Sequence, residues 1–342
     1  MSEASDQAPT DLIGRDRELH EWERLLRTER LVTVSGPGGV GKTALVTELA
    51  HRIRTGPWQT VARADLVRLD DPQLLTYRLA GALLGGGLPG RPHVGALADA
   101  LGDTRALLVV DTCEHLADAC TDVLTELVRS CPGLHVLAAG RTPMAGPASC
   151  PLRPLALDNA IRMFEASVRQ WGVAEVPDTD DVQHICGFLD GLPLAVRIAA
   201  GQLTRHSPQE VLSLVSRAET LLDLTGPGLP ARQRTLRDSL LRTHQLCTGD
   251  ERLLWARCSV FPGAFGLPDA AEVCADERLP ADALATAFHG LVRHALVQPQ
   301  ERGATTYRMP WSTRAHGRQW LDRLGEEREF LRRCLAWTLR EA

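Results

Sequence analysis

The chain has 342 residues, 44% of them hydrophobic and 24% charged, with a formal net charge of −5; that is length enough for two or three domains, each with its own core, and the acidic balance argues against a broadly basic nucleic-acid surface. No apolar run reaches the roughly 18 residues of a membrane span, and the polar first eleven residues lack the apolar core of a secretion signal, so the expectation is a cytoplasmic protein with no membrane partner. Nine cysteines include no C-x-x-C pair and sit in apolar stretches, which reads as buried free thiols rather than a metal site or a disulfide framework.

In chain order, Asp11-Leu-Ile-Gly14-Arg15 leads into a predicted helix carrying Leu19, Trp22 and Leu26 on one face. An apolar, β-branched run, Leu31 to Val34, then meets a glycine-dense turn, and Leu45, Leu49 and Ile53 follow at helical spacing. Strand, loop and helix are the setting of a phosphate-binding loop. Gly36-Pro37-Gly38-Gly39-Val40-Gly41-Lys42-Thr43 fits G-x-x-x-x-G-K-[ST] at every fixed position. Glycines at Gly36, Gly38, Gly39 and Gly41 let backbone N–H groups, that of Val40 included, close around phosphate oxygens at a helix N-terminus. Lys42 supplies a cation, and the Thr43 hydroxyl is a candidate Mg²⁺ ligand. Lys42 is also the only lysine among 38 basic residues, and it stands where a compact ammonium rather than a guanidinium is the usual partner.

Thr60 to Leu66 reads as a second strand, with helical segments on either side of a Gly/Pro-rich loop, residues 85–92. Arg105 to Asp111 is a continuous apolar strand with a carboxylate at its C-terminal end, where parallel sheets meet ligands. Asp111 is therefore the candidate Walker B acid, holding Mg²⁺ through the ion's water shell, with a helix N-cap as the alternative. Thr112 follows where related ATPases place a catalytic carboxylate, and a threonine cannot serve as a base. Glu114 is either the group that polarises an attacking water or a first-turn helix carboxylate, and slow hydrolysis is the natural expectation; His115 is given no role. A further strand, Leu134 to Ala139, ends at Gly140-Arg141-Thr142-Pro143. If it lies between the phosphate-loop strand and the Walker B strand, Arg141 points at the γ-phosphate and distinguishes ATP from ADP. The proline-rich stretch from Pro143 to Pro154 reads as the exit from this domain.

Beyond it, Asp158 is placed as the N-cap of a helix with Ile161, Phe164 and Val168, and a second helix spans 178–189. Gly191 closes that helix and Pro193 opens the next. Residues 225–230 form a predicted hinge. Helices are expected from Arg232, over Glu251 to Cys258, Asp269 to Cys274 and Ala281 to Arg293, before two strand-like pieces, Leu296 to Gln298 and Thr305 to Met309. Helices followed by a β-hairpin are winged-helix patterning. A last amphipathic helix, Glu326 to Arg340, carries Phe330, Cys334 and Trp337 on one side and stops as if more helices belonged beyond it.

Taken together, Leu-Ile-Gly-Arg before the phosphate loop, Val-Val-Asp-Thr-Cys-Glu-His-Leu, Gly-Arg-Thr-Pro-Met, Asp-Gly-Leu-Pro-Leu-Ala and Ser-Val-Phe-Pro-Gly-Ala-Phe resemble the NB-ARC type nucleotide switch of the STAND class of P-loop ATPases. The resemblance runs from about Leu12 to Leu324 and looks closest to the ATPase core of bacterial LuxR-type and SARP-type transcriptional regulators. It implies an α/β fold: a parallel-sheet P-loop domain over residues 10–155, a helical domain over 156–225, a winged-helix domain over 230–325 and the start of a further helical region over 326–342. It implies ATP and ADP as ligands with Mg²⁺, Ile13, Gly14 and Arg15 near adenine and ribose, Thr112 beside the nucleotide, and Pro193 closing over it. It also implies self-association in the ATP state and an effector that the sequence does not identify. Two departures stand out: the family commonly has Asn at the position of Thr112, and Leu-Glu-Thr-Ile-Arg where this chain reads Pro310-Trp311-Ser312-Thr313-Arg314. The rival functions are a remodelling ATPase, which needs a competent base, and direct DNA binding by the winged helix, which the net charge opposes.

Overall fold

Five strands with apolar cores, β1 (Leu31–Ser35), β2 (Thr60–Asp65), β3 (Ala106–Asp111), β4 (Leu134–Gly140) and β5 (Ala148–Pro151), form one parallel sheet in the order β2-β3-β4-β1-β5. The computed structural model describes residues 12–86, 90, 92–113, 116–141, 144, 148–173, 177–217, 222–225, 235–300 and 305–341. The chain divides into two compact units: Met1–Gly36 with Gly41–Arg153, and Pro37–Val40 with Pro154–Ala342.

In the first unit β1, β3 and β4 are buried on both faces, which is why they read as unbroken apolar runs rather than as alternation. Leu31, Leu108, Val110, Val136 and Ala138 join a core with Leu79, Leu97, Leu124 and Leu127, supplied by helices α3 (Leu75–Leu84), α4 (Val94–Leu101) and α5 (Ala117–Ser130). Helix α1 (Asp16–Thr28) buries Leu19, Trp22 and Leu26, and α2 (Lys42–Arg52) buries Leu45, Val46 and Leu49. The register aligns the carboxyl ends of the strands. Ser35 pairs with Gly140, Ala139 with Asp111, and Asp111 with Asp65. The stretch from Pro143 to Pro154, expected to be only an exit segment, contains β5, which pairs with β1 as an edge strand where its terminal proline is tolerated.

The second unit begins with α6 (Leu157–Gln170), α7 (Thr179–Gly187), α8 (Pro193–Gln202) and α9 (Pro208–Ser216). Asp158 is not the cap of α6: Ala156 holds that position, and Asp158 lies in the first turn, where its charge still complements the helix N-terminus. Most of the predicted hinge, residues 226–230, falls outside the described residues. Next come α10 (Leu236–Leu246), α11 (Gly249–Cys258), α12 (Leu267–Cys274) and α13 (Ala281–Arg293). With them goes an antiparallel three-stranded sheet, β6 (Ala264–Gly266), β8 (Thr306–Arg308) and β7 (Gln298–Pro299) in that order. Strand β6 was not expected from sequence, nor were α9 and α14 (Trp311–Arg323); α15 (Glu327–Glu341) was. The core of these last elements is aromatic, with Phe261 stacked on Phe265 at 4.3 Å and Trp255, Phe288 and Phe330 buried. All nine cysteines are buried and free, as their apolar settings predicted.

Candidate functional site

The site is assembled at the carboxyl ends of β1, β3 and β4. Strand β1 ends at Ser35, and Gly36, Gly39 and Gly41 take φ of 158°, 82° and 99°. The last two lie in the left-handed region that glycine adopts without a Cβ penalty, so the chain can reverse within a few residues and enter α2 with Gly41 as its N-cap. Inside the turn the Val40 N–H reaches the Pro37 carbonyl at 3.4 Å. Lys42 is the first residue of the helix, and its Nζ donates to the Gly36 carbonyl at 2.6 Å, across the mouth of the loop.

Thr43 and Asp111 meet although they are far apart in sequence: the Thr43 hydroxyl donates to Asp111 Oδ1 at 3.2 Å. Asp111 is buried, and its second oxygen accepts Arg63 Nη2 at 3.0 Å. Arg63 also donates to Thr47 Oγ1 at 3.0 Å. A hydroxyl and a carboxylate side by side are hard oxygen donors of the kind Mg²⁺ takes, so this donor set fits that ion, with the Arg63 guanidinium as a competing cation on the same carboxylate. Arg63 was not picked out from the sequence. It lies on β2 in Thr-Val-Ala-Arg-Ala-Asp, where the burial pattern leaves it exposed, and only the register that sets β2 against β3 brings it to Asp111.

Arg141 follows Gly140, the residue paired with Ser35. The sheet order places β4 between β1 and β3, the arrangement a sensor role for Arg141 requires, and Arg141 is 7% exposed. Thr112, directly after Asp111, has φ 60°, an outlier for a β-branched residue; the asparagine of the resembled family is more at ease in that conformation. Glu114 and His115 lie outside the described residues. Ile13 and Gly14 form the turn closed by the Arg15 N–H on the Leu12 carbonyl at 3.1 Å, with Gly14 at φ 75°. The buried Arg15 side chain bonds to Glu18 and to the Arg153 carbonyl, each at 2.8 Å. Ile13, Gly14 and Arg15 thus form a tight turn at the start of α1.

Within the second unit, Pro193 is the first residue of α8, and the next N–H, that of Leu194, donates to the Gly39 carbonyl at 3.1 Å. A Cβ on Gly39 would come within 2.9 Å of the Leu194 Cβ. That loop position therefore needs glycine twice, for its φ and for this approach. Elsewhere in this unit Cys247, Glu251 and His294 offer three potential metal ligands close together. The carboxylate is already committed there, accepting the Thr248 N–H at 2.8 Å and an arginine, Arg293, at 3.2 Å, while burial and the Glu251 charge push the Cys247 thiol up to about 12.

No family model matches the chain. Uncharacterized protein Rv0894 of Mycobacterium tuberculosis (strain ATCC 25618 / H37Rv) is 34% identical over 339 residues, covering 95% of this chain and 84% of its own length. This chain belongs to the Rv0894 family. A larger protein of the same strain, provisionally named HTH-type transcriptional regulator Rv0890c, is 33% identical over 314 residues; they make up 89% of this chain and 35% of that one, so the Rv0894-family chain spans about a third of the regulator. Among solved structures, the Walker-type ATPase paby2304 of Pyrococcus abyssi superposes with a TM-score of 0.64 at 13% identity, covering 91% of this chain and 98% of that one. The Aeropyrum pernix ORC2 protein, solved as ADPNP-ADP complexes, superposes at 0.56 and 13% identity, covering 97% of each. The Rv0894-family chain therefore has the α/β fold of Walker-type P-loop ATPases. Among the described residues no helix is long and apolar enough to cross a membrane.

Proposed function

We propose that this protein binds an adenine nucleotide with Mg²⁺ through the Gly36–Thr43 loop and works as a regulatory switch that responds to whether ADP or ATP is held. The observation that carries the reading is the 3.2 Å contact of Thr43 with Asp111 beside the only lysine of the chain, at the N-terminus of α2. Lys42, the loop N–H groups and Thr43 would hold the phosphates, Thr43 and Asp111 the ion, Ile13, Gly14 and Arg15 the base and sugar side, and Pro193 the lid. Bound Mg²⁺ supplies charge neutralisation at the phosphates. The chain's own part is to orient and to report. Thr112 has no basic group to offer, so hydrolysis rests on Glu114 and is slow. The helices over 156–225 act as a helical domain, and the helices and small sheet over 230–325 as a winged-helix domain that packs within the chain.

Magnitudes limit what Arg141 does alone. A hydrogen bond from a guanidinium to a phosphate is worth about 1.5–3 kcal/mol, whereas moving a two-state switch from 1:99 to 99:1 takes about 5.5 kcal/mol. A second input is needed, an effector or a neighbouring subunit in the ATP-bound, self-associated form. The regulator Rv0890c, a third of which this chain matches, supports a switch that controls transcription, with DNA reading left to parts of that longer protein.

The test is the nucleotide released from gently purified, heat-denatured protein, followed by calorimetric titration with MgADP and MgATP. The expected result is co-purified ADP and a Lys42→Ala variant that stays folded and binds at least about 10-fold more weakly, the loss of one charge-assisted contact. Empty protein that binds neither nucleotide overturns the reading. Steady turnover of about 1 per second or faster, ordinary for an enzyme, would instead favour an ATPase that performs work.

A further inference from the structure

The residue before the Gly191-Leu192-Pro193 segment has an unusual backbone and a distant partner. Asp190 adopts φ 52° and Gly191 φ 63°, and the turn is so tight that a Cβ on Gly191 would lie 2.1 Å from the Leu155 carbonyl oxygen. Gly191 in turn accepts the Leu155 N–H at 2.8 Å. The Asp190 side chain reaches the start of α14, where Oδ2 accepts the Ser312 N–H at 3.2 Å, across 122 positions of sequence, and the neighbouring Trp311 N–H helps to draw the carboxyl's pKa down. Helix α14 has no cap of its own, because its N-cap is Pro310, whose side chain offers no acceptor. The first N–H groups of a helix need partners from outside it, and a carboxylate is the favoured one. A second contact runs in parallel, with the Phe188 ring edge-on to Trp311 at 6.3 Å.

We propose that Asp190 is a positioning residue, a latch that ties the Gly191–Pro193 segment to the first turn of α14 so that the two move as one. The consequence for nucleotide rests on the reading of Pro193 as the lid.

The groups that face the carboxyl are Arg308 on β8 and Arg314 on α14, and His294 lines the same cleft as Asp190, Ser312 and Thr313. Burial pushes the Asp190 carboxyl up to about 6, against the pull of the two N–H groups and the two arginines. Between about pH 4 and 6 the latched form therefore holds a proton that the released, solvated carboxyl, with its ordinary pKa near 3.9, gives up. Acidification through pH 6 favours the latched form, and the latch loosens as pH rises through 6.

The experiment is hydrogen–deuterium exchange of the Ser312 amide in the full chain, for wild type, Asp190→Gly and Asp190→Asn, at pH 5 to 7.5 with intrinsic rates corrected. Release of fluorescent ADP is measured alongside. Asp190→Gly removes the carboxyl while keeping a residue suited to φ 52°, and the Ser312 amide should exchange about 10- to 100-fold faster. Asp190→Asn retains a carbonyl acceptor and tolerates the left-handed backbone, so protection should stay near wild type and lose its pH dependence. Unchanged exchange in Asp190→Gly overturns the latch, as does a wild-type pH profile in Asp190→Asn. Faster exchange with unchanged ADP release supports the latch and removes the lid role of Pro193. Failure of wild type to bind ADP sinks the nucleotide reading alone, since the exchange results are obtained without it.

Discussion

Arg63 and Arg257 each pair with a carboxylate, in different units and with opposite consequences. Arg257 is fully buried. It donates to the Cys274 carbonyl at 2.9 Å, to both oxygens of Asp276 at 2.8 and 2.6 Å and to Glu326 at 3.1 Å, and its guanidinium lies 4.4 Å from the Phe330 ring centroid. Each bond ends on a group that belongs to the folded chain. Arg63, 39% exposed, holds Asp111, 3% exposed, at one oxygen and spends its other bond on a hydroxyl. The first arrangement is permanent because nothing from solution can replace it. The second leaves a buried carboxylate, already touched by a threonine, under a half-exposed cation, the group that an incoming ion would displace on the function proposed above.

The largest loss is expected at the buried arginine. Arg257→Ala leaves Asp276 and Glu326 without their shared cation and should cost about 3–5 kcal/mol, the usual penalty for breaking a buried pair, read by urea denaturation of the whole chain. A loss under about 1 kcal/mol would mean that this interior charge is no more structural than a surface one. His316 tests the same region by pH. Its Nε2 accepts the Trp320 indole N–H at 3.2 Å, which requires the neutral ring, and burial, helped by His244 and the Arg237 and Arg323 charges, pushes its pKa down to about 4. The unfolded chain takes up that proton near pH 6.5 and the folded chain does not, so stability falls as pH drops from 6.5 to 4, by about 3 kcal/mol in all. Because protonation of Asp190 acts in the opposite sense over the same range, the measurement is the difference in pH profile between wild type and His316→Gln. Parallel profiles would refute the assignment.

How far these features could be read from the sequence follows from what surrounds them. Strands β1, β3 and β4 were legible because both faces are covered, so burial writes itself as a continuous apolar run, and the glycine turn and terminal aspartate punctuate it. Strand β5 was not: Ala148-Ser-Cys-Pro buries only Ala148 and Cys150 and stands among prolines, which an edge strand tolerates and a turn also favours. Helix α14 was hidden because it packs with small residues. Ser312, Thr313, Ala315 and Gly317 are buried, and a Cβ on Gly317 would come within 2.9 Å of the Trp255 carbonyl oxygen, so close approach replaces the usual apolar stripe. Its cap comes from Asp190, beyond the reach of any local motif. Lys42, Thr43 and Asp111 stand out as candidates because their motifs are local; Arg63 does not, because its contact with Asp111 exists only across a strand pair.

At the ligand end the largest effect is expected at Arg141. Arg141→Ala should weaken ATP relative to ADP by about 10- to 100-fold, the worth of one charge-assisted hydrogen bond, in competition titrations with the two nucleotides. An unchanged ratio would leave Arg141 as a buried structural arginine, closer in kind to Arg257 than to Arg63.

The smallest effect is expected at Arg63. If Arg63 is a stand-in cation, Arg63→Gln should raise the Mg²⁺ dependence of nucleotide affinity rather than damage it, since the ion no longer displaces a guanidinium from Asp111. The side chain is 39% exposed and solvent screens it, so the pair is worth at most about 1 kcal/mol and the gain in apparent Mg²⁺ affinity is about fivefold or less. Titrating Mg²⁺ at fixed ADP reads that shift directly, and thermal unfolding of the variant should match wild type. A fall in affinity would show that Arg63 holds Asp111 in place for the ion. In that case both arginines of this comparison would be architectural, and the buried carboxylate would depend on its guanidinium at the end of the sheet as much as in the core.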